Sequence, residues 1–112
     1  VTTLVAEPGD TSPALSTAEH LFGRVGTTVR LPHEKLLDPA TALAASGPAF
    51  MAVLLEAFMD GGVRAGLPRD VAVRLALGMV EGTAAHLDAR AMHPGILKDM
   101  AATARARELS RG

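Results

Sequence analysis

Between Thr41 and Phe50 the chain reads TALAASGPAF, and this stretch holds the residues best suited to chemistry. Ser46-Gly47-Pro48 reads as a helix start: a hydroxyl to cap it, a glycine that lets a ligand come close, and a proline at the first helical position, where its missing N–H costs nothing. The free backbone N–H groups of such a corner suit an anion. The same pattern also serves as an ordinary helix cap, and the residues alone leave both readings open. Thr41 adds a second hydroxyl to this corner or is a simple loop residue.

Other chemistry finds less support. The four histidines, His20, His33, His86 and His93, are scattered, and no HExxH-type pattern accompanies them, so no metal site is expected. With no cysteine there is no disulfide, thiolate ligand or cysteine nucleophile. Neither GxGxxG nor GxxxxGKS occurs, so nothing here cradles a nucleotide phosphate by that route. Arg105, Arg107 and Arg111 make a basic end, but Glu108 is interleaved and no aromatic residue lies near, which disfavours nucleic-acid binding. No catalytic acid, base or nucleophile is singled out.

The elements that position the corner follow from periodicity. Val1–Glu7 is short, β-branched and roughly alternating, hence a strand, and Pro8-Gly9-Asp10 turns the chain. Ser12 caps a helix with Pro13 at its first position. That helix runs to about Arg24, with Leu15, Ala18, Leu21, Phe22 and Val25 at helical spacing and Gly26 ending it. Thr27–Leu31 is a second strand, so residues 1–32 have the size of a βαβ unit, expected to join a larger preceding sheet because its strand edges are bare. His33–Pro39 is a polar connector suited to a hinge.

From there the pattern is helical: one helix from Ser46-Gly47-Pro48 to near Gly66, a second from about Arg69 to Asp88, and a third opened by His93-Pro94. The second carries Val71, Leu75, Gly78, Gly82 and Ala85 on one face, where two glycines permit another backbone to come close. In the first, only Glu56 and Asp60 carry charge between Pro48 and Val63; with Arg64 they form a stripe expected to be exposed and salt-bridged. Met51, Val53, Leu54, Leu55, Ala57, Phe58 and Met59 cover the rest. A helix apolar nearly all round needs burial on most sides, and 112 residues can hardly supply it, so a second copy of the chain is expected to cover it.

Composition sets the bounds. A hydrophobic share of 48%, a charged share of 21% and a net charge of -1 are those of a globular protein with no strong field toward nucleic acid or anionic lipid. The longest apolar run, Ala42–Leu55, is interrupted by Ser46-Gly47-Pro48, so neither a membrane span nor a signal peptide is expected. Starting at valine, the chain reads as part of a longer or processed protein.

Three landmarks resemble pyrroline-5-carboxylate reductase, the reductase that forms proline by hydride transfer from NAD(P)H to a cyclic imine. DPATALAASGPAF at Asp38–Phe50 is similar to the family's segment ending in GSGPAY. EAFMDGGVRAGLP at Glu56–Pro68 is similar to its EA…DAGVxxGLP, and HPGILKD, ending at Asp99, to its HPxxLKD. Order and spacing agree over Asp38–Met100, and the lead-in from Val1 matches more loosely the last strand-helix-strand of the reductase's dinucleotide domain. The resemblance implies a mainly α fold: a helical dimerisation and substrate-site domain at residues 33–112, interlocked with a partner chain, after a remnant of a Rossmann-like domain at 1–32. It implies a homodimer or higher homo-oligomer, NADPH or NADH as cofactor and 1-pyrroline-5-carboxylate as substrate. Motif match places Thr41 and Ser46 beside the substrate and Gly47 and Pro48 beside the nicotinamide. Hydride transfer there depends on orientation and on holding the substrate carboxylate.

The departures are Ala45 for the first glycine of GSGPAY, Phe50 for its tyrosine and Ala44 for a common serine. After Met100 the family continues into a Ser-Pro-Gly-Gly-Thr-Thr loop that binds the carboxylate, whereas this chain runs on as AATARARELSRG. By itself it is expected to dimerise without catalysing, in the cytoplasm or a mitochondrion. The rival reading is a helical oligomerisation module that has lost the chemistry. A helix-turn-helix DNA binder built on Gly66-Leu67-Pro68 is disfavoured by the neutral charge.

Overall fold

Residues 1–109 are described by a computed structural model, so Arg111 lies outside the described residues. Contacts group the chain into two units, Val1–Leu54 and the part from Leu55 onward. The fold is mainly α, with a small parallel sheet at its start.

In the first unit β1 (Thr2–Val5) and β2 (Thr28–Leu31) pair in parallel, with Thr2 opposite Thr28 and Val5 opposite Leu31. A parallel pair needs a crossover, and α1 (Pro13–Gly23) supplies it. Ser12 caps α1 as expected: its Oγ accepts from the Leu15 N–H at 3.3 Å, with Pro13 in the first turn. Leu15 and Ala6 are buried between helix and sheet, while Leu21 and Phe22, expected on the same face, are exposed. α1 ends at Gly23 with Arg24 as its C-cap, earlier than Gly26 suggested. Across the crossover Arg30 on β2 donates two hydrogen bonds to the Glu19 carboxylate on α1. That guanidinium holds the Glu19 carboxyl below its ordinary value, and the carboxylate in turn raises Arg30.

The expected hinge is helical instead. A 3-10 turn at Glu34–Leu36 leads into α2 (Leu37–Thr41), a π-helical stretch at Ala42–Ser46, and α3 (Gly47–Arg64), without a break. Asp38 sits in the first turn of α2, where a carboxylate is favoured, and Pro39 is tolerated there because first-turn amides have no helical partner. The joined helix, Glu34–Arg64, is 31 residues long and apolar enough by length and composition to cross a membrane, because Ser46-Gly47-Pro48 does not interrupt it. A helix enclosed at the centre of a helical assembly has the same composition.

In the second unit α3 closes on Gly66, whose φ of 104° only glycine adopts freely. The Leu67 N–H donates to the Gly62 carbonyl and the Gly66 N–H to that of Val63, both at 3.0 Å, the paired bonds of a Schellman ending. α4 (Arg69–Ala89) then folds back so that Ala72 and Ala76 are buried near Gly62. Asp60 pairs with Arg69 at 2.7 Å across this turn. The expected stripe is thus corrected: Asp60 takes its cation from the next helix and not from Arg64. α4 ends in a second Schellman pair, Met92 N–H to Leu87 at 3.0 Å and Ala91 N–H to Asp88 at 3.1 Å, here with alanine at φ 45°. α5 is Pro94–Leu109.

Candidate functional site

The corner expected at Ser46-Gly47-Pro48 lies inside a helix, and the reason is visible upstream. An N-cap interrupts apolar periodicity, yet Leu36, Leu37, Ala40 and Leu43 carry it back without a gap. The helix therefore nucleates earlier, and Pro48 becomes an interior proline. It offers no N–H, and its ring would meet the carbonyl of Ala44 in a regular α-turn. The turn just before it widens into the π-helical stretch Ala42–Ser46, which relieves that clash. The free amides expected for an anion are consequently taken up by helix formation.

The widened turn has its own geometry. Where bonds close over five residues instead of four, positions five apart are separated by roughly one turn. Thr41 is the residue that leads into the stretch and Ser46 its last member, one widened turn apart and both exposed. Gly47 follows half-buried and Pro48 exposed. Of the four residues singled out in the sequence, Ser46 thus ends the bulge, and Thr41, Gly47 and Pro48 flank it. From Thr41 to Phe50 there is no titratable group. This surface can offer hydroxyl hydrogen bonds, a small-residue contact and apolar area, and it can orient a ligand, but it cannot itself give or take a proton.

Around it the helix is uncovered. Leu43 is 79% exposed, Phe50 77% and Val53 66%, and none of the most apolar window of Glu34–Arg64 is buried. In the second unit the pattern repeats. Phe58, Leu67, Leu75 and Met79 line an open groove whose floor is Gly62, Ala72 and Ala76. A Cβ added at Gly78 or Gly82 would meet nothing within 4 Å, so the backbone approach these glycines permit is not made among the described residues. His86 is half-buried in a shallow groove with Met79, Thr83 and Leu97, without a second metal-ligating side chain. These faces are apolar enough to drive association and are dried by nothing among the described residues.

Residues 34–106 match the protein family described as pyrroline-5-carboxylate reductase dimerisation. The chain belongs to that family. The pyrroline-5-carboxylate reductase of Synechocystis is 46% identical over 85 residues, which is 76% of this chain and 32% of that protein. That of Arabidopsis thaliana is 47% identical over 79 residues, 70% of this chain and 28% of the other. The chain therefore spans about a third of the length of the curated relatives it matches. The fold is shared with the crystal structure of Plasmodium falciparum pyrroline carboxylate reductase with NADP bound, at a TM-score of 0.72 and 24% identity, over 87% of this chain and 39% of that one. The Coxiella burnetii pyrroline-5-carboxylate reductase gives a TM-score of 0.67 at 23% identity, over 96% of this chain and 45% of that one. For a member of the dimerisation family, the uncovered helix Glu34–Arg64 and the open α3–α4 groove are the surfaces its name leads one to expect.

Proposed function

We propose that this chain is the dimerising part of an NAD(P)H-dependent reductase that converts 1-pyrroline-5-carboxylate to L-proline, supplying the subunit interface and one wall of the active site. The observation that carries the reading is the uncovered apolar helix Glu34–Arg64 in a chain of the dimerisation family. In this reading residues 1–32 end a dinucleotide-binding domain and residues 33–112 form the helical domain that interlocks with a second copy. Thr41 and Ser46 present their hydroxyls to the substrate, and Gly47 and Pro48 form the surface beside the nicotinamide. The π turn supports the first assignment by setting two exposed hydroxyl residues one widened turn apart, and the lack of acids and bases suits a transfer that depends on orientation. The cofactor, NADPH or NADH, would supply the hydride; the NADP in the Plasmodium relative supports a nicotinamide dinucleotide.

A second reading has its own support. α5 runs as one helix from Pro94 to Leu109, through the point after Met100 where the family's carboxylate-binding loop is expected. A chain built this way keeps the interface and lacks a substrate anchor, which is the non-catalytic oligomerisation module. Sedimentation of the purified chain, with an assay of NADPH oxidation by pyrroline-5-carboxylate, tests both. A dimer without turnover fits either reading for the isolated chain, and fusion to an intact dinucleotide domain of a relative then separates them: restored turnover favours the reductase. A monomer in water, or a chain that enters only detergent micelles, would overturn the dimer.

A further inference from the structure

Between α4 and α5 the chain turns in a few residues, and both sides of the turn are held by unusual residues. On the α4 side Ala91 takes a left-handed conformation, φ 45°, that glycine would take more freely. On the α5 side His93 precedes Pro94, which has no N–H, so the first amide of α5 in need of a partner is that of Gly95. It donates to His93 Nδ1 at 3.1 Å. A Cβ at Gly95 would stand 3.0 Å from that same nitrogen and 3.4 Å from Cε1, so glycine is what lets the ring close over the amide.

We propose that His93 is the N-cap of α5 and makes this turn responsive to protons. A nitrogen that accepts from a backbone N–H carries no hydrogen, so the capping ring is neutral with its proton on Nε2. When the ring takes a second proton, Nδ1 becomes a donor facing a donor, and a positive charge stands at the positive end of the helix. The cap is lost, and the left-handed Ala91 no longer has an ordered helix start beyond it. The charged and titratable groups nearest the turn in sequence are His86 and Asp88 in the last turn of α4, Arg90 at its C-cap, and Lys98 and Asp99 near the start of α5. Among the described residues none of them hydrogen-bonds or ion-pairs with the His93 ring, and Lys98 is turned to Asp99 at 3.4 Å. The imidazole is exposed, so protons reach it freely.

Amide hydrogen exchange of the whole chain, corrected for the intrinsic rate at each pH, tests this with the ring's own titration followed by NMR in the same samples. In the unaltered chain protection of the Gly95 amide falls about fivefold as His93 titrates, the worth of one helix cap. His93→Asn keeps an acceptor that does not titrate, so its Gly95 amide stays protected throughout. His93→Ala lacks protection at every pH. Unchanged protection through the titration of His93, or an Asn variant that loses protection in step with the unaltered chain, would overturn the proposal.

Discussion

The amide of Leu67 reaches back to the carbonyl of Gly62 at 3.0 Å, and the Leu67 side chain then stands 3.3 Å from where a Cβ on Gly62 would lie. Ala72 Cβ occupies the other side of the same point at 3.3 Å. One glycine thus lets α3 end and α4 pack at a single place. Gly62→Ala gains about 1 kcal/mol of helix propensity and loses part of it to the crowding. Gly62→Val should overpack the corner and cost about 1–3 kcal/mol, read in denaturant unfolding.

The two Schellman endings differ in their left-handed residue, Gly66 at φ 104° and Ala91 at φ 45°. Gly66→Ala should destabilise by about 1–2 kcal/mol, since a Cβ is disfavoured there. Ala91→Gly should stabilise by about 0.5–1 kcal/mol, the strain relieved less the added freedom of the unfolded chain. Opposite shifts in the unfolding midpoints would be the check.

Leu54 on α3 is 47% exposed, on the helix proposed to meet its copy. Leu54→Asp would force a carboxylate into an apolar interface and strip it of water, so the variant should sediment as a monomer. A variant still dimeric at micromolar concentration would place the interface elsewhere.

Glu19 is held below its ordinary 4.5 chiefly by the hydrogen bond from Arg30. A depressed carboxyl contributes stability that is present above the unfolded value, 4.5, and lost as pH falls through the lower folded value. Thermal stability of the βαβ unit should therefore decline from about pH 4.5 downward. Arg30→Met should remove that part of the decline. Arg30 is exposed and Glu19 only half-buried, so the effect at neutral pH is small and salt-sensitive.

Pro48 is the cause of the π stretch at Ala42–Ser46. Pro48→Ala should let the turn tighten to α-helix and stabilise it by up to about 3 kcal/mol, the penalty of an interior proline, less what the bulge already relieves. It should also move Ser46 away from Thr41, visible as a change in the amide and Cα shifts of residues 41–47.

Much of this arrangement was legible in the residues. Ser12-Pro13 marked the start of α1, Gly66 the end of α3 and His93-Pro94 the start of α5, because caps are local chemistry. Alternation and β-branching found both strands. What escaped was set by context. Ser46-Gly47-Pro48 has the composition of a cap, and only the apolar spacing of Leu36, Leu37, Ala40 and Leu43 reveals that the helix has already begun. Asp60 was matched to Arg64, four residues on, because i,i+4 pairing is visible in sequence, whereas Arg69 is brought near only by the turn. The pairing of Glu19 with Arg30 likewise depends on the crossover that lays α1 on β2.

The bulge before Pro48 also governs how this long helix must be kept dry. One residue more in a turn rotates everything beyond it by about 100°, more than a quarter of the circumference. Greasy positions ahead of it, such as Leu37, and those after it, such as Phe50 and Val53, therefore do not fall in one straight seam. A neighbour running alongside would shield half of the rod and leave the other half wet. Only neighbours that wrap it from several directions at once can finish the job.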